Sequence, residues 1–213
     1  PAPRRARHRR GRRVLFDTAA YDFLDDQPCP DTVNPSLWRQ SQLLRRAGLF
    51  RVVDNLYQVR SSEVANLTIV DGEDGLVVID AMTSVESARA GLQLFREHVS
   101  DKPVVGVIYT HTHVDHYGGV KGLVDPADVA AGRVRIIAPG HEFEKHAIGE
   151  NIVVGSAMSR RASYAFGSML DVGPRQTVSC GIGIGSGGTG RTVSYLSPTD
   201  WSPRPGRSTT SPG

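Results

Sequence analysis

The segment VVGVIYTHTHVDHYGG, residues 104–119, carries most of the information about fold and chemistry in this chain. Its first half is an apolar, β-branched run, which predicts a buried strand over 104–110. Four side chains of types that bind metal ions follow within six residues: His111, His113, Asp115 and His116. Because α/β folds display functional groups at the carboxyl ends of strands, this order predicts an active site directly after a strand.

The spacing of these four side chains suits a pair of metal ions. On an extended segment His111 and His113 point to the same side, so together they can bind one ion. The chain then turns, and Asp115 and His116 can face a second ion, as a two-metal hydrolytic site requires. Imidazole and carboxylate ligands favour zinc or a similar ion. The alternative, three surface histidines in a loop, is disfavoured by the strand before them and the glycine pair after them.

Strand and helix patterns on both sides of this segment predict an α/β domain. Helical spacing of apolar residues over 84–99, after a capping box at Thr83-x-x-Glu86, predicts an amphipathic helix that covers one face of a sheet. Residues 141–166 are expected to be largely helical, whereas 14–48 show no strong period. The strands are expected at 56–61, 65–71, 76–80, 104–110, 134–138 and 191–196.

The composition excludes several classes of protein. With 39% apolar and 22% charged residues, a chain of 213 residues is neither collagen-like, coiled-coil nor wholly disordered, and it can form one domain. No run of eighteen apolar residues predicts a membrane span, and no apolar stretch follows the basic N-terminus as in a secretory signal. A cytoplasmic protein is therefore the default, with a periplasmic or secreted one as the alternative if N-terminal residues are missing. Cys29 and Cys180 predict neither a disulfide framework nor a thiolate metal site.

The positive charge is concentrated at the N-terminus. Seven arginines lie in the first thirteen residues, and removing their charge from the net +3 leaves −4. Such a run can bind nucleic acid or anionic lipid, but it has no interleaved aromatic residues, so we expect a disordered basic tail over 1–20 and no nucleic-acid partner. Residues 201–213, rich in Pro, Ser, Gly and Arg, predict a second disordered tail, which leaves 21–200 as an incomplete domain.

Two weaker patterns favour structural interpretations. His141, Glu142, Glu144 and His146 are expected at the solvated start of a helix, where acidic residues are favoured by the helix dipole, rather than around a metal ion. The GxGxxG pattern at 183–188 follows no clear strand and opens no helix. A flexible loop is therefore expected there, not a dinucleotide site.

At residues 111–116 the chain resembles the metallo-β-lactamase superfamily, whose HxHxDH signature is matched at all four ligand positions. Over about residues 21–200 it also resembles the alkylsulfatase branch. The segments that carry this second resemblance are VNPSLWRQ at 33–40, GLF at 48–50, YQVR at 57–60, NLT at 66–68, THTHVDHYGG at 110–119 and MSRRA at 158–162. The resemblance implies an αββα sandwich, of which this chain would form the N-terminal portion.

The resemblance further implies hydrolysis of long-chain alkyl sulfates, such as dodecyl sulfate, to alcohol and sulfate. In that family two zinc ions hold and activate a water, giving a metal-bound hydroxide, and the C–O bond is cleaved. Carried over to this chain, His111 and His113 would bind the first ion and Asp115 and His116 the second. Asp115 would also help to orient the water.

Two arginines are candidates for contact with the sulfate group. Guanidinium groups suit tetrahedral oxyanions, which favours Arg160 and Arg161. On an exposed helix, the alternative is that both are solvated.

The chain also departs from the family pattern. The family takes two further glutamates and a histidine from downstream segments, whereas this sequence has no Glu or His after Glu150. The family continues into a helical dimerisation region and a sterol-carrier-like domain, and its full-length members are expected to be homodimers. We therefore expect a fragment of such an enzyme. The alternatives are another hydrolase of the same fold, acting on a thioester, lactone or phosphodiester, and a non-catalytic half-domain or basic-tailed binding protein.

Overall fold

The computed structural model describes residues 8–10, 13–16, 18–25, 27–165, 170, 173 and 192–202. Three features predicted from the sequence lie outside these residues: the glycine-rich loop at 183–188, Cys180, and all but the first two residues of the C-terminal tail. The N-terminal segment contains an antiparallel strand pair, β1 (His8–Arg10) and β2 (Arg13–Phe16). These strands differ from the disordered tail predicted over 1–20, because backbone pairing satisfies main-chain polar groups whatever the charge of the side chains.

A seven-stranded mixed sheet forms the centre of the described structure. Its first four strands are joined antiparallel, and its last four run parallel to one another. In spatial and chain order the strands are β3 (Gly48–Val53), β4 (Leu56–Arg60), β5 (Leu67–Asp71), β6 (Leu76–Ile79), β7 (Val104–Ile108), β8 (Arg135–Ala138) and β9 (Asp200–Trp201). This architecture confirms the predicted α/β class.

Five α-helices accompany the sheet in the described residues. They are α1 (Pro35–Leu44), α2 (Val85–His98), α3 (Pro126–Ala130), α4 (Phe143–Ile148) and α5 (Gly155–Ala165). Short 3-10 helices span Thr18–Leu24, Val114–His116 and Val120–Gly122, and a π-helical turn at Gly149–Val153 joins α4 to α5. The largely helical character predicted for 141–166 is confirmed. None of the described helices has the length and apolar character needed to cross a bilayer.

Helix α2 covers one face of the sheet, as its pattern predicts. Leu92 and Phe95 are buried in the core, and the Phe95 ring packs edge-on against Tyr57 of β4 at 5.3 Å between centroids. Under the helix, Leu76 and Val78 of β6 are fully buried. Burial of these apolar side chains fixes the face that β6 turns towards α2.

The predicted capping box is shifted by one residue. Ser84, not Thr83, is the N-cap, and its hydroxyl accepts from the Ser87 N–H at 3.2 Å. The Thr83 N–H donates instead to the buried carboxylate of Glu63. Glu86 accepts from Thr192 N–H and Oγ1 at 2.9 and 2.8 Å, so a tertiary contact replaces the reciprocal cap bond.

The strand predicted at 191–196 is wrong, because residues 192–198 have no regular secondary structure. Their hydrogen bonds run to helix α2 and to loops rather than to a strand partner: the Thr192 carbonyl accepts from the Val85 N–H at 2.9 Å, Ser194 N–H donates to the Gly118 carbonyl at 2.7 Å, and the Leu196 carbonyl accepts from Tyr109 Oη at 3.1 Å. The short strand β9 follows at 200–201 instead. Tertiary contacts therefore override the local strand propensity of this segment.

Helix α1 lies in the region 14–48, where the sequence shows no strong period, and strand β3, which was not predicted either, begins where that region ends. Asn34 begins α1, because its side chain accepts from the Ser36 N–H at 2.9 Å, and Pro35 occupies the first turn. Trp38 of this helix packs with Leu24 in a small separate core, and its indole donates to the Gln27 carbonyl at 3.0 Å.

Candidate metal centre

The candidate site lies at the carboxyl ends of the parallel strands β6 and β7. Strand β7 ends at Ile108, and the loop that follows carries His111, His113, Asp115 and His116. Because β6 and β7 are adjacent and parallel, the residues after β6 meet this loop at the same edge of the sheet. The structure therefore places the four predicted ligands where the sequence argument expects them.

The four side chains form one cluster. His111 Nε2 lies 3.1 Å from His113 Nδ1, and the His111 and His116 rings are 3.9 Å apart between centroids. His116 Nε2 lies 3.0 Å from Asp115 Oδ2. His113 is exposed and the other three are partly buried, so the cluster opens to solvent on the His113 side.

Asp80 is a member of the cluster that the sequence analysis missed. Its Oδ2 lies 2.8 Å from His116 Nδ1, and its Oδ1 accepts from the Thr110 N–H at 2.9 Å. Asp80 directly follows β6 and adopts a φ of 60°. The signal that could have found it is its place after the predicted strand 76–80, next to the strand that leads into the histidines.

The electrostatics of the cluster favour an ion pair between the Asp115 carboxylate and a protonated His116. Burial opposes the charge on His116, but hydrogen bonds to Asp115 and Asp80 outweigh it and raise the pKa of His116 to about 9. Burial likewise disfavours the Asp115 carboxylate, and the hydrogen bond and charge of His116 outweigh it, so the pKa of Asp115 is lowered. Burial and the neighbouring histidines lower the pKa of His111. Both His116 nitrogens therefore donate, and a metal ion has to displace a proton there.

The imidazole and carboxylate groups of the cluster are typical ligands of divalent metal ions, and the distances within each pair suit two ligands on one ion. Two ligands bound to one tetrahedral zinc at about 2.0–2.1 Å lie about 3.3 Å apart. The His111–His113 pair, at 3.1 Å, and the Asp115–His116 pair, at 3.0 Å, are close to this separation. In the part of the chain that the structure describes, no group of three or more His, Cys, Asp or Glu side chains is arranged to hold one ion. Each pair has the spacing of two ligands on one ion, and the metal-binding role of the four residues stays a prediction.

The glycine pair behind the motif allows close backbone packing. A Cβ on Gly119 would lie 2.1 Å from the Ala81 carbonyl oxygen, and one on Gly118 would lie 2.3 Å from that of Thr83. The Ala81 N–H donates to the His116 carbonyl at 2.8 Å. Only glycine permits this approach, which joins the loop after β6 to the loop that carries the histidines.

A cavity of about 1010 Å³ opens beside His113. Its wall is mainly apolar and includes Ile148, Ile152 and Met158, with Glu150 and Asn151 near the histidine loop. Asn151 hydrogen-bonds the backbone of this loop, and Glu150 contacts the Thr112 hydroxyl; the sequence analysis singled out neither residue for a role at the site.

Arg160 and Arg161 lie on α5 with exposed side chains. Of the described residues that line the cavity, Met158 and Ser159 precede them directly, but the two arginines are not included. The two arginines therefore follow cavity-lining residues in the sequence, but their side chains do not form part of the described cavity wall.

The residues interpreted as a helix start lie on or beside α4. Glu142 pairs with Lys145 at 3.3 Å, Glu144 accepts from the Ser197 hydroxyl at 3.1 Å, and the His141 ring packs on Trp201. These contacts agree with the structural interpretation given to the segment.

Comparison with known proteins agrees with this geometry. Residues 62–190 match the family described as the metallo-beta-lactamase superfamily. A linear primary-alkylsulfatase of Pseudomonas sp. is 50% identical over 188 residues, which is 88% of this chain and 27% of the relative. Alkyl/aryl-sulfatase BDS1 of Saccharomyces cerevisiae is 46% identical over 186 residues, 87% of this chain and 28% of the relative.

A solved alkylsulfatase structure is also similar to this chain. The stereoselective inverting sec-alkylsulfatase Pisa1 from Pseudomonas sp. superposes with a TM-score of 0.84 at 46% identity, over 91% of this chain and 30% of that one. The chain thus spans less than a third of the length of these relatives. Because the family match covers more than half of the 213 residues and the histidine motif lies within it, this chain belongs to the metallo-beta-lactamase superfamily.

Proposed function

We propose that this chain is part of a metal-dependent hydrolase of sulfate esters, with alkyl sulfates as the substrate class. The observation that carries the proposal is the arrangement of two donor pairs, His111 with His113 and Asp115 with His116, side by side at one edge of the sheet. The similarity to alkylsulfatases at 46–50% identity supports the choice of ester.

His111 and His113 would hold one zinc ion, and Asp115 and His116 a second. Bound zinc lowers the pKa of water and so supplies a nucleophile near neutral pH. The chain's own residues prepare the site: Asp80 orients the His116 ring through Nδ1, and Thr110 in turn holds Asp80. Such hydrogen bonds to ligand imidazoles fix the ring orientation.

Asp115 has the second role proposed for it, that of orienting water. Oδ2 of its carboxylate faces His116 at 3.0 Å. Its other oxygen is then able to accept a hydrogen bond from a water molecule between the two donor pairs. A carboxylate in this position directs the lone pair of the water away from itself and towards the substrate.

The apolar cavity beside His113 favours an ester that carries an alkyl chain. Ile148, Ile152 and Met158 offer an apolar wall that starts at the histidine loop, so an ester group at His113 would place its alkyl chain along α4 and α5. For the sulfate group we propose Arg160 and Arg161 as binding residues, since both follow the cavity-lining Met158 and Ser159 on α5.

The proposal is tested with a chimera. This chain replaces the matching segment of the Pseudomonas linear primary-alkylsulfatase, and the product is assayed with zinc against dodecyl sulfate, a thioester, a lactone and a phosphodiester. We expect hydrolysis of dodecyl sulfate with release of inorganic sulfate. We also expect the 213-residue chain alone to bind zinc weakly, because two ligands per ion are fewer than the three that catalytic zinc sites keep.

The matched control is the same chimera with Asp115→Asn, which keeps the size of the side chain and removes its charge. Its turnover of dodecyl sulfate is expected to fall by at least about a hundredfold, as for loss of a positioned acid–base group. A chimera that cleaves the thioester, lactone or phosphodiester but not dodecyl sulfate would contradict the proposed substrate class.

A further inference from the structure

The side chain of Asn151 bridges the backbone on both sides of His113. Its Oδ1 accepts from the Val114 N–H at 3.2 Å, and its Nδ2 donates to the Thr112 carbonyl at 2.7 Å. The second Nδ2 hydrogen goes to the Ala147 carbonyl of α4 at 2.8 Å. Both donor hydrogens and the acceptor oxygen of the carboxamide are thus engaged.

These three contacts join two elements that are distant in sequence. Asn151 belongs to the π-helical turn at Gly149–Val153, in which the Val154 N–H donates to the Gly149 carbonyl at 3.1 Å. Turns of this kind interrupt α-helices frequently at functional sites. A single half-buried side chain therefore connects the α4 end of this turn to the loop that carries the histidines.

His113 itself depends on this loop for its position. The residue is exposed, and its ring packs edge-on against the ring of His111 in the same loop, at 4.7 Å between centroids. Its Nδ1 nevertheless lies 3.1 Å from His111 Nε2, the spacing that a shared ion needs. Since this ring contact joins two residues of the same loop, the backbone between Thr112 and Val114 has to set the place of His113, and Asn151 holds that backbone at both ends.

We infer that Asn151 is a positioning residue for the metal-binding loop, which acts by fixing the backbone on either side of His113. The inference rests on the metal-binding role proposed for His113. A neutral carboxamide is the only side chain of this size that donates to two carbonyls and accepts from an N–H; a carboxylate only accepts, and leucine does neither.

The first test measures amide hydrogen exchange at Val114 by NMR in the metal-free 213-residue chain. Asn151→Leu should speed this exchange about tenfold, as expected for the loss of one hydrogen bond. The matched control is Thr112→Val, which removes the hydroxyl contact with Glu150 but leaves the backbone bonds to Asn151 in place. Unchanged exchange in Asn151→Leu would overturn the inference.

A second measurement needs no variant. In the wild-type spectrum, the carboxamide hydrogens of Asn151 should exchange at least about tenfold more slowly than those of the exposed Asn55. Equal exchange at the two carboxamides would show that Asn151 does not hold the loop, and this result stands even if Asn151→Leu fails to fold.

The third measurement separates positioning from stability. Because the 213-residue chain alone is expected to bind metal weakly, Co²⁺ is added to the metal-free chimera with the Pseudomonas alkylsulfatase and followed by its visible absorption; Asn151→Leu should weaken Co²⁺ binding about 10- to 100-fold, as for other residues that orient metal ligands. Thr112→Val should bind as the wild type does. If the wild type and Asn151→Leu bind Co²⁺ equally well, the positioning role of Asn151 is refuted, whereas the proposed metal centre is not. If the wild type binds none, the proposed metal centre is wrong and the role falls with it.

Discussion

Asp80 and His116 lie at the ends of neighbouring parallel strands and are joined by a 2.8 Å contact from Oδ2 to Nδ1. The other nitrogen of the same ring lies 3.0 Å from Asp115. One imidazole thus links the proposed ligand Asp115 to the carboxylate of Asp80. Asp80 also accepts from the Thr110 N–H and hydroxyl, so hydrogen bonds within the protein hold its carboxylate in place.

Asp80→Asn should weaken zinc binding by about 10- to 100-fold, because the variant loses the charge that orients His116. Asparagine tolerates the positive φ of 60° at this position, so the backbone is expected to persist. Zinc affinity is measured by competition with a coloured chelator. The control is Asp54→Asn, a surface residue paired with Arg51. Equal affinity for zinc in Asp80→Asn and wild type would disprove the role of Asp80.

His111→Ala should reduce zinc affinity at least about tenfold, since it leaves one imidazole where the structure places two. Isothermal titration of the metal-free chain with zinc gives the affinity. His98→Ala serves as control, because this exposed histidine ends α2 away from the cluster and contacts the Leu94 carbonyl. The ligand assignment fails if both alanine variants bind zinc alike.

Gly119→Ala should destabilise the fold by about 3 kcal/mol, at the upper end of the cost of overpacking. The added Cβ would meet the Ala81 and Ser84 carbonyl oxygens at 2.1 and 2.6 Å, and both are rigid backbone atoms. Urea unfolding followed by circular dichroism measures the difference. Gly149→Ala is the matched control, since no atom lies within 4 Å of its Cβ position, and it should change stability by less than about 1 kcal/mol. Similar stability for the two variants would refute the packing argument.

Asp200 should titrate far below an ordinary aspartate. Hydrogen bonds from Arg135 and Thr199 lower the pKa of Asp200 to about 2, from an ordinary value of 3.8. Because the folded-state pKa is depressed, the stabilisation is present above pH 3.8 and is lost as pH falls through about 2. NMR titration of the Asp200 carboxyl carbon measures this midpoint. Arg135→Gln should move it up towards 3.8; a midpoint near 3.8 in the wild type would contradict the prediction.

Local sequence was sufficient for the elements that carry strong patterns. The apolar spacing over 84–99 predicts α2, since one stripe of a helix has to face the core. The run before His111 predicts β7, and the HxHxDH spacing places four donors in one loop. These features depend on residues close together in the chain, where periodicity and side-chain chemistry decide the outcome.

Local sequence was insufficient where a distant residue competes for the same hydrogen bond. The capping box predicted at Thr83 is wrong because the Thr83 N–H donates to the Glu63 carboxylate. The Glu86 carboxylate accepts from Thr192 instead of from the N-cap residue. The strand predicted at 191–196 is wrong for a similar reason, since helix α2 and the loop at Gly118 form hydrogen bonds with its backbone. Helix α1 was missed although Asn34 and Pro35 are typical start residues, because the helix turns only a narrow apolar stripe, centred on Trp38, to its neighbours.

What the sequence by itself determined about this protein is therefore its α/β class, the covering helix and the identity of four candidate ligands. The tertiary structure alone decided which groups surround those ligands. Asp80 is 36 residues from His116, Asn151 is 37 residues from Val114, and Thr192 is 106 residues from Glu86. Contacts over such distances follow from strand order and packing, because neither backbone propensity nor periodicity extends beyond a single element.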